Sequence, residues 1–493
     1  MHIVGTTRHA GCEDAGRSVA VGRLDLVWFA VFLVLGSLAV LYPAFTLASV
    51  GAVGTLGLAR LTITYVRRAG LEVWQILTLS ALAGYIVLNY GFENLTVHVG
   101  SFPLIIGYGL MYAALALGVF SRRHFIIAAL KEPAVFCLTA LVVLTSFHLV
   151  FDIPSYGIWA LRDASLFLDG IFFLLGLLWA SKKSSTIPLL KGLFVIFLLN
   201  LIYAFTYPWN ERIQNWSPAS GVFVRVPVVG QYHSTYVSLL AGAMFCLVVG
   251  SYVARWPRWS MVLLTVAQLF GLGIHEYRST YVSIAVILIL LTFLGEMRKS
   301  AILLTTLASA LLVVLLITTL DIKIPGRFGD VNAGFFQEHI RSLSGASGTP
   351  GSNVQARVDW YREVADRIRS HVLLGEGFGK PLTSEISYQN GTIIRQPHNS
   401  HISVLARLGA VGLGIWLLFH FFILKRFVHI LRKREYRDAN AYQIALWFFL
   451  FYTILMIVAS VQPGFEFPTG SVPFYFCTGF ALGFIRWSVL RAT

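Results

Sequence analysis

The chain alternates long apolar runs with short polar segments from about residue 26 almost to its end. The runs fall near 26–42, 44–66, 72–92, 101–120, 134–151, 164–181, 187–208, 234–254, 258–274, 278–295, 301–320, 400–424, 441–462 and 471–489. Most reach the roughly 18 residues that a helix needs to cross a ~30 Å hydrocarbon core. None alternates apolar and polar positions as a barrel strand does, so helices are left to satisfy the backbone in lipid. The pattern therefore predicts an all-α polytopic membrane protein. Only Tyr42-Pro43 divides the first two runs; a single long or re-entrant element there would break the alternation, so two elements are kept, of which one need not span fully.

Basic clusters then sort the connections onto two sides. Arg67-Arg68, Arg122-Arg123, Lys182-Lys183, Arg255 with Arg258, Arg298-Lys299, Lys425 through Arg437, and Arg486 with Arg491 all fall on one face if the runs simply alternate. The positive-inside rule makes that face cytosolic and puts both termini there. The first 23 residues are charged without an apolar core and read as a cytosolic tail, not a signal peptide. The other face receives 93–100, 152–163, 209–233, 275–277, 321–399 and 463–470. Of these only 321–399 is long, at 79 residues. A polar excursion of that length among tight connections points to function. Four parts result: the tail 1–23, helices over 24–320, the outer loop 321–399, and helices over 400–493. Within the loop, Ser352-Asn353 can cap a helix with an apolar face of Val354, Val358, Tyr361, Ala365, Ile368 and Val372. Gly375, Gly377 and Gly379 would end it.

Composition supports the class and removes alternatives. The 493 residues are 57% hydrophobic and 12% charged, with mean hydropathy +0.73. The net charge of +15 is largely accounted for by the cytosolic clusters, so it calls for no nucleic-acid partner. Cys12, Cys137, Cys246 and Cys477 have neither metal-ligand spacing nor the look of a disulfide framework.

Candidate chemistry is confined to a few outer-side residues. His398 and His401 lie where the long loop re-enters the membrane, in Gln396-Pro397-His398-Asn399-Ser400-His401. An imidazole is the natural base for a hydroxyl, although the same segment also reads as a helix start capped by Asn399 or Ser400. Arg278 begins a run, Arg357 lies on the loop helix, and Arg225 precedes the run that starts near His233. Arginines gathered at an interface suit an anionic ligand such as a pyrophosphate, yet each alone could be an ordinary interfacial residue. No Asp-x-Asp or His-Glu-x-x-His motif occurs in the outer segments, so neither a metal-assisted sugar-phosphate site nor a zinc protease is indicated. Asp169 and Arg407 are charges inside runs, explicable as a transport path, an internal ion pair or the lining of a polar cavity.

The segment His398-Asn399, nine residues, Gly409, two residues, Gly412 resembles the signature of the O-antigen ligase and polymerase superfamily. Arg357 with Trp360, followed by Gly375-Glu376-Gly377-Phe378-Gly379, resembles the family's loop helix and glycine-rich turn. Tyr277-Arg278-Ser279 is similar to its Ser-Arg segment, with Tyr in place of Ser, and Gln231-Tyr232-His233 stands where many members carry Asn-Pro-Asn. The resemblance implies about twelve spans, fewer than the fourteen runs, so about 12–14 transmembrane helices are expected, with a large periplasmic loop and a GT-C-like glycosyltransferase architecture in a bacterial inner membrane. It also implies metal-independent, inverting transfer of a glycan from undecaprenyl pyrophosphate to lipid A-core or another glycan acceptor, with no cofactor. His398 would act as base, Arg278 and Arg357 would hold the pyrophosphate, and Arg225, His233, Asn399, Gly409 and Gly412 would contact substrate. Repeat-unit polymerases and protein glycan ligases share the motif. A transporter is the rival from another class, but no inverted repeats are evident.

Overall fold

The structure is a computed structural model that describes residues 70–100, 102–275, 277–320, 322–327, 330, 334, 349–384, 394–433 and 440–489. The runs expected at 26–42 and 44–66 lie outside the described residues. Residues from Glu72 onward form one compact unit.

The chain is an all-α polytopic membrane protein. Its helices are α1 (Val73–Leu88), α2 (Tyr90–Glu93), α3 (Ile106–Ser121), α4 (Arg123–Leu130), α5 (Pro133–Tyr156), α6 (Ile158–Ala180), α7 (Lys183–Ala204), α8 (Asn210–Trp216) and α9 (Thr235–Ala254). There follow α10 (Arg258–His275), α11 (Arg278–Phe293), α12 (Met297–Thr319), α13 (Thr349–Ser370), α14 (Ser400–Leu431), α15 (Asn440–Val461) and α16 (Pro468–Phe484). Among the described residues seven helices are long and apolar enough to cross a bilayer, or eight if α3 and α4, bent by 100°, count as one span. Two small antiparallel hairpins add β1 (Thr96–Val99) with β2 (Phe102–Ile105), and β3 (Ala219–Ser220) with β4 (Val226–Pro227).

Each apolar run within the described residues coincides with a helix, with two corrections. The run at 101–120 opens as strand β2, which pairs antiparallel with β1, and helix α3 begins only at Ile106. The segment 152–163 is not an open loop. Helices α5 and α6 enter it from both ends and meet at Gly157, whose φ of +58° makes the turn.

Helix packing follows membrane rules. Helix α16 lies along the second half of α6, and backbone meets backbone there. A Cβ on Gly176 would come within 2.1 Å of the Phe476 carbonyl oxygen, and one on Gly479 within 2.1 Å of the Phe173 carbonyl oxygen. Small residues permit such approach where lipid supplies no hydrophobic drive between helices. Helix α12, by contrast, leaves Leu311, Leu312 and Leu316 exposed to the surroundings, as a lipid-facing helix does.

Helix α13 corrects the expected loop helix in extent and in face. It begins at Thr349, a turn before the expected cap at Ser352-Asn353. Its packed stripe holds Val364 and Ile368, which cluster with Leu382, Ile402 and Ala406, and the buried Trp360, whereas Val358 and Val372 are exposed. The stripe is rotated from the expected one because a Trp buries more apolar area than a Val. Arg357 lies on the same side of the helix as this stripe, one turn before Trp360 and Tyr361.

Candidate active site

The re-entry segment is built as both cap and turn. Asn399 is the N-cap of α14; its Oδ1 accepts from the N–H groups of His401 (3.0 Å) and Ile402 (3.1 Å), and its Nδ2 donates to the Ser460 carbonyl of α15 at 2.8 Å. Both ends of that amide are thus engaged by backbone. The residue before it, His398, takes a left-handed conformation at φ +53°. This turn sets its ring edge-on against Trp360 of α13, with centroids 4.9 Å apart at 70°.

The same packing brings in the arginines. The charge of Arg357 falls on His398, and Arg278, first residue of α11, lies within electrostatic reach of Arg357. Tyr277 stacks on Tyr236 of α9 at 3.8 Å, and the Arg327 guanidinium lies 4.2 Å over the Tyr277 ring. Arg327 in turn acts on His233, which packs 5.2 Å from Tyr90. Burial pushes the His398 imidazole down to about 4, and the nearby Arg357 charge adds to this. His233 is likewise held near 4 by burial, with Arg327 adding. Both rings are neutral at pH 7, and a neutral imidazole can accept a proton.

Five segments of the chain therefore converge: His233, Arg278, Arg327, Arg357 and His398. Sequence reasoning missed Arg327, one basic residue among many in a long loop with nothing local to single it out. Arg225 is not brought in; it is exposed, between β3 and β4. Gly409 and Gly412 are buried within α14, and their part there is packing. At Gly409 the helix breaks, with φ +64°, and a Cβ would lie 2.3 Å from the Leu373 carbonyl. The glycine-rich turn docks into that break. Ala410 donates its N–H to Val372 at 2.8 Å, while Glu376 and Gly377 donate to Ala406 and Arg407 at 2.8 and 3.1 Å.

A buried carboxylate fastens this arrangement to the helical body. Asp163 of α6 accepts from Arg395 Nε at 3.2 Å and Nη2 at 2.7 Å, from Arg407 Nη2 at 3.0 Å, and from the Gly379 N–H at 3.2 Å. Arg407 also donates to the carbonyls of Gly377 (3.0 Å) and Lys380 (2.7 Å). The ion-pair reading of Arg407 is the one observed, with Asp163 as partner. Asp169 instead accepts the Ser471 hydroxyl. Arg395 lies three residues before His398, so the latch sets where the imidazole stands.

A family model described as O-antigen ligase matches residues 263–417, a stretch holding Arg278, Arg327, Arg357, His398 and Gly409. Residues 263–417 are thus similar to the O-antigen ligase family. An O-antigen ligase of Pseudomonas aeruginosa is 23% identical over 269 residues, which make up 50% of this chain and 60% of that relative's length. The resemblance read from the His398 motif is borne out on this ground. Within the matched stretch the motif's glycines build the break that receives the loop, and its histidine stands beside the arginines. Among the described residues no group of three or more His, Cys, Asp or Glu is placed to hold a metal ion.

Proposed function

We propose that this chain transfers a glycan from undecaprenyl pyrophosphate to a sugar hydroxyl of lipid A-core, at the periplasmic face of a bacterial inner membrane. The observation that carries this reading is the meeting of neutral His398 with Arg357 and Arg278 inside the matched stretch. In the proposed step the acceptor oxygen bonds to the anomeric carbon as the bond from that carbon to the pyrophosphate oxygen breaks, inverting the centre. The acceptor proton goes to His398, and the pyrophosphate leaves with its charge held by arginines. An anion arriving beside Arg357 offsets the charge that depresses His398, so the base strengthens when the donor binds. Deleting the gene and separating lipopolysaccharide on gels tests the acceptor. Loss of long chains from lipid A-core, with carrier-linked chains accumulating, is expected. Carrier-linked single repeat units would point to a polymerase instead.

The arginine fork gives a second test. Arg278→Lys keeps the charge but loses bidentate geometry, so transfer should fall at least about tenfold. Exposed Arg225→Lys should stay within about threefold of wild type. Equal tolerance at both positions would make Arg278 a structural anchor. Because arginines supply the positive charge, activity of purified protein should persist in excess EDTA, and a loss restored by metal would overturn the mechanism.

The pH profile has a definite sign. His398 is depressed, so its base form is present above its folded value and is lost only as pH falls through about 4. The acid limb of kcat/KM, which reports the free enzyme, should therefore lie well below pH 6.5. In the residual activity of Arg357→Gln that limb should move upward, because a charge opposing protonation is gone. A limb at pH 6.5 in both proteins would exclude His398 as the titrating base.

A further inference from the structure

Beside the His398 segment stands a second group of side chains that the transfer chemistry does not use. The Arg162 guanidinium lies 5.5 Å from the ring centre of Trp159, 5.8 Å from that of Phe223 and 5.6 Å from that of Phe467. Trp159 and Phe223 pack at 4.7 Å and 46°. The rings come from α6, the β3–β4 connection and the residue before α16, and all three are only half-buried. Glu93, last residue of α2, feels the Arg162 charge and bonds to Thr469. Its Oε2 is closed off from solvent and has no hydrogen-bond partner among the described residues. Such an atom costs free energy unless something polar meets it. Burial raises this carboxyl to about 8, against the pull of Arg162, so at neutral pH it mostly carries a proton that it can donate.

This cradle adjoins the reaction centre on two sides. Arg395, three residues before His398, lies 4.4 Å over Trp159. Tyr90 packs against both Phe467, at 5.9 Å, and His233, at 5.2 Å. Flat rings edged by a carboxyl and a guanidinium fit a ligand with apolar faces and a rim of hydroxyls. A lipid tail has no use for the polar edge, and a bare phosphate has none for the rings. We propose that Trp159, Phe223 and Phe467, edged by Glu93 and Arg162, form a subsite for one sugar ring of a glycan that meets His398. The inference rests on the glycan-transfer reading for what reaches the site; acceptor and donor glycans share this chemistry.

Full-length purified protein is titrated calorimetrically with two probes, delipidated core oligosaccharide and O-glycan freed from its carrier. One of them should bind wild type, and Trp159→Ala and Glu93→Leu should each weaken that binding about tenfold. Trp159→Phe, which keeps a ring, should stay within about threefold. If Trp159→Ala does not accumulate, Glu93→Leu and Phe467→Leu carry the same comparison. Unchanged affinity in these variants overturns the subsite, as does failure of both probes to bind wild type. A wild type that binds the glycan but does not transfer it overturns the transfer reading and leaves the subsite standing. A wild type that transfers while every variant keeps its KM for both glycans overturns the subsite alone.

Discussion

His398→Asn is expected to lower glycan transfer by about 10²-fold or more while the protein still inserts and folds. The backbone makes this substitution unusually clean. At φ +53° most side chains are strained, but Asn is among the few that tolerate the left-handed region. Asn keeps polarity and the backbone conformation, while the proton-accepting nitrogen is lost together with the ring contact on Trp360. His401 gives the comparison one turn away. Its Nδ1 accepts from Trp416 Nε1 at 3.1 Å within the helical body, so His401→Gln, which can still accept that bond, should stay within about threefold of wild type. Turnover is measured on purified protein with expression matched. A normally expressed, active His398→Asn would remove the base from the mechanism whatever the family.

Asp163→Ala should be nearly as damaging without removing any group assigned to the reaction. Asp163 answers three arginines, Arg162, Arg395 and Arg407, and one backbone N–H, and the side chain of Arg407 is only 3% exposed. Removing one member of a buried pair leaves the other charge uncompensated, at a cost of about 3–5 kcal/mol. The energy is lost where the glycine-rich turn and Arg395 are held, so transfer should fall by about 10²-fold. Limited proteolysis should then cut within 371–399 at protease levels that spare the wild type. Asp152→Asn is the milder counterpart, since it weakens a single bond from the Phe378 N–H at 2.7 Å, worth about 1 kcal/mol. A variant Asp163→Ala with wild-type turnover and cleavage pattern would show that the latch does not place the site.

Helix identity was legible in the sequence, because lipid leaves an apolar run of sufficient length few choices. The spacing from His398 to Gly412 marked the motif, and the single long polar segment marked where chemistry could sit. Turns governed by one residue could also have been read: Gly157 joins two helices where an open loop was expected. What stayed hidden was decided by contacts between distant segments. Arg327 looks like any loop arginine until its guanidinium is found over Tyr277. The face of α13 depended on which side met α14, and Trp360 outweighed the Val-lined alternative. Asp163 gives no local sign of the latch, since Arg395 and Arg407, which it fastens, lie more than two hundred residues away in sequence. The sequence by itself determined the class and most of the described helices, because these depend on transfer of local segments into lipid, and it marked the motif by spacing. Which charges meet, and which glycines serve packing, only the tertiary structure decided, because ion pairing and close backbone approach depend on distances in space that sequence spacing does not encode.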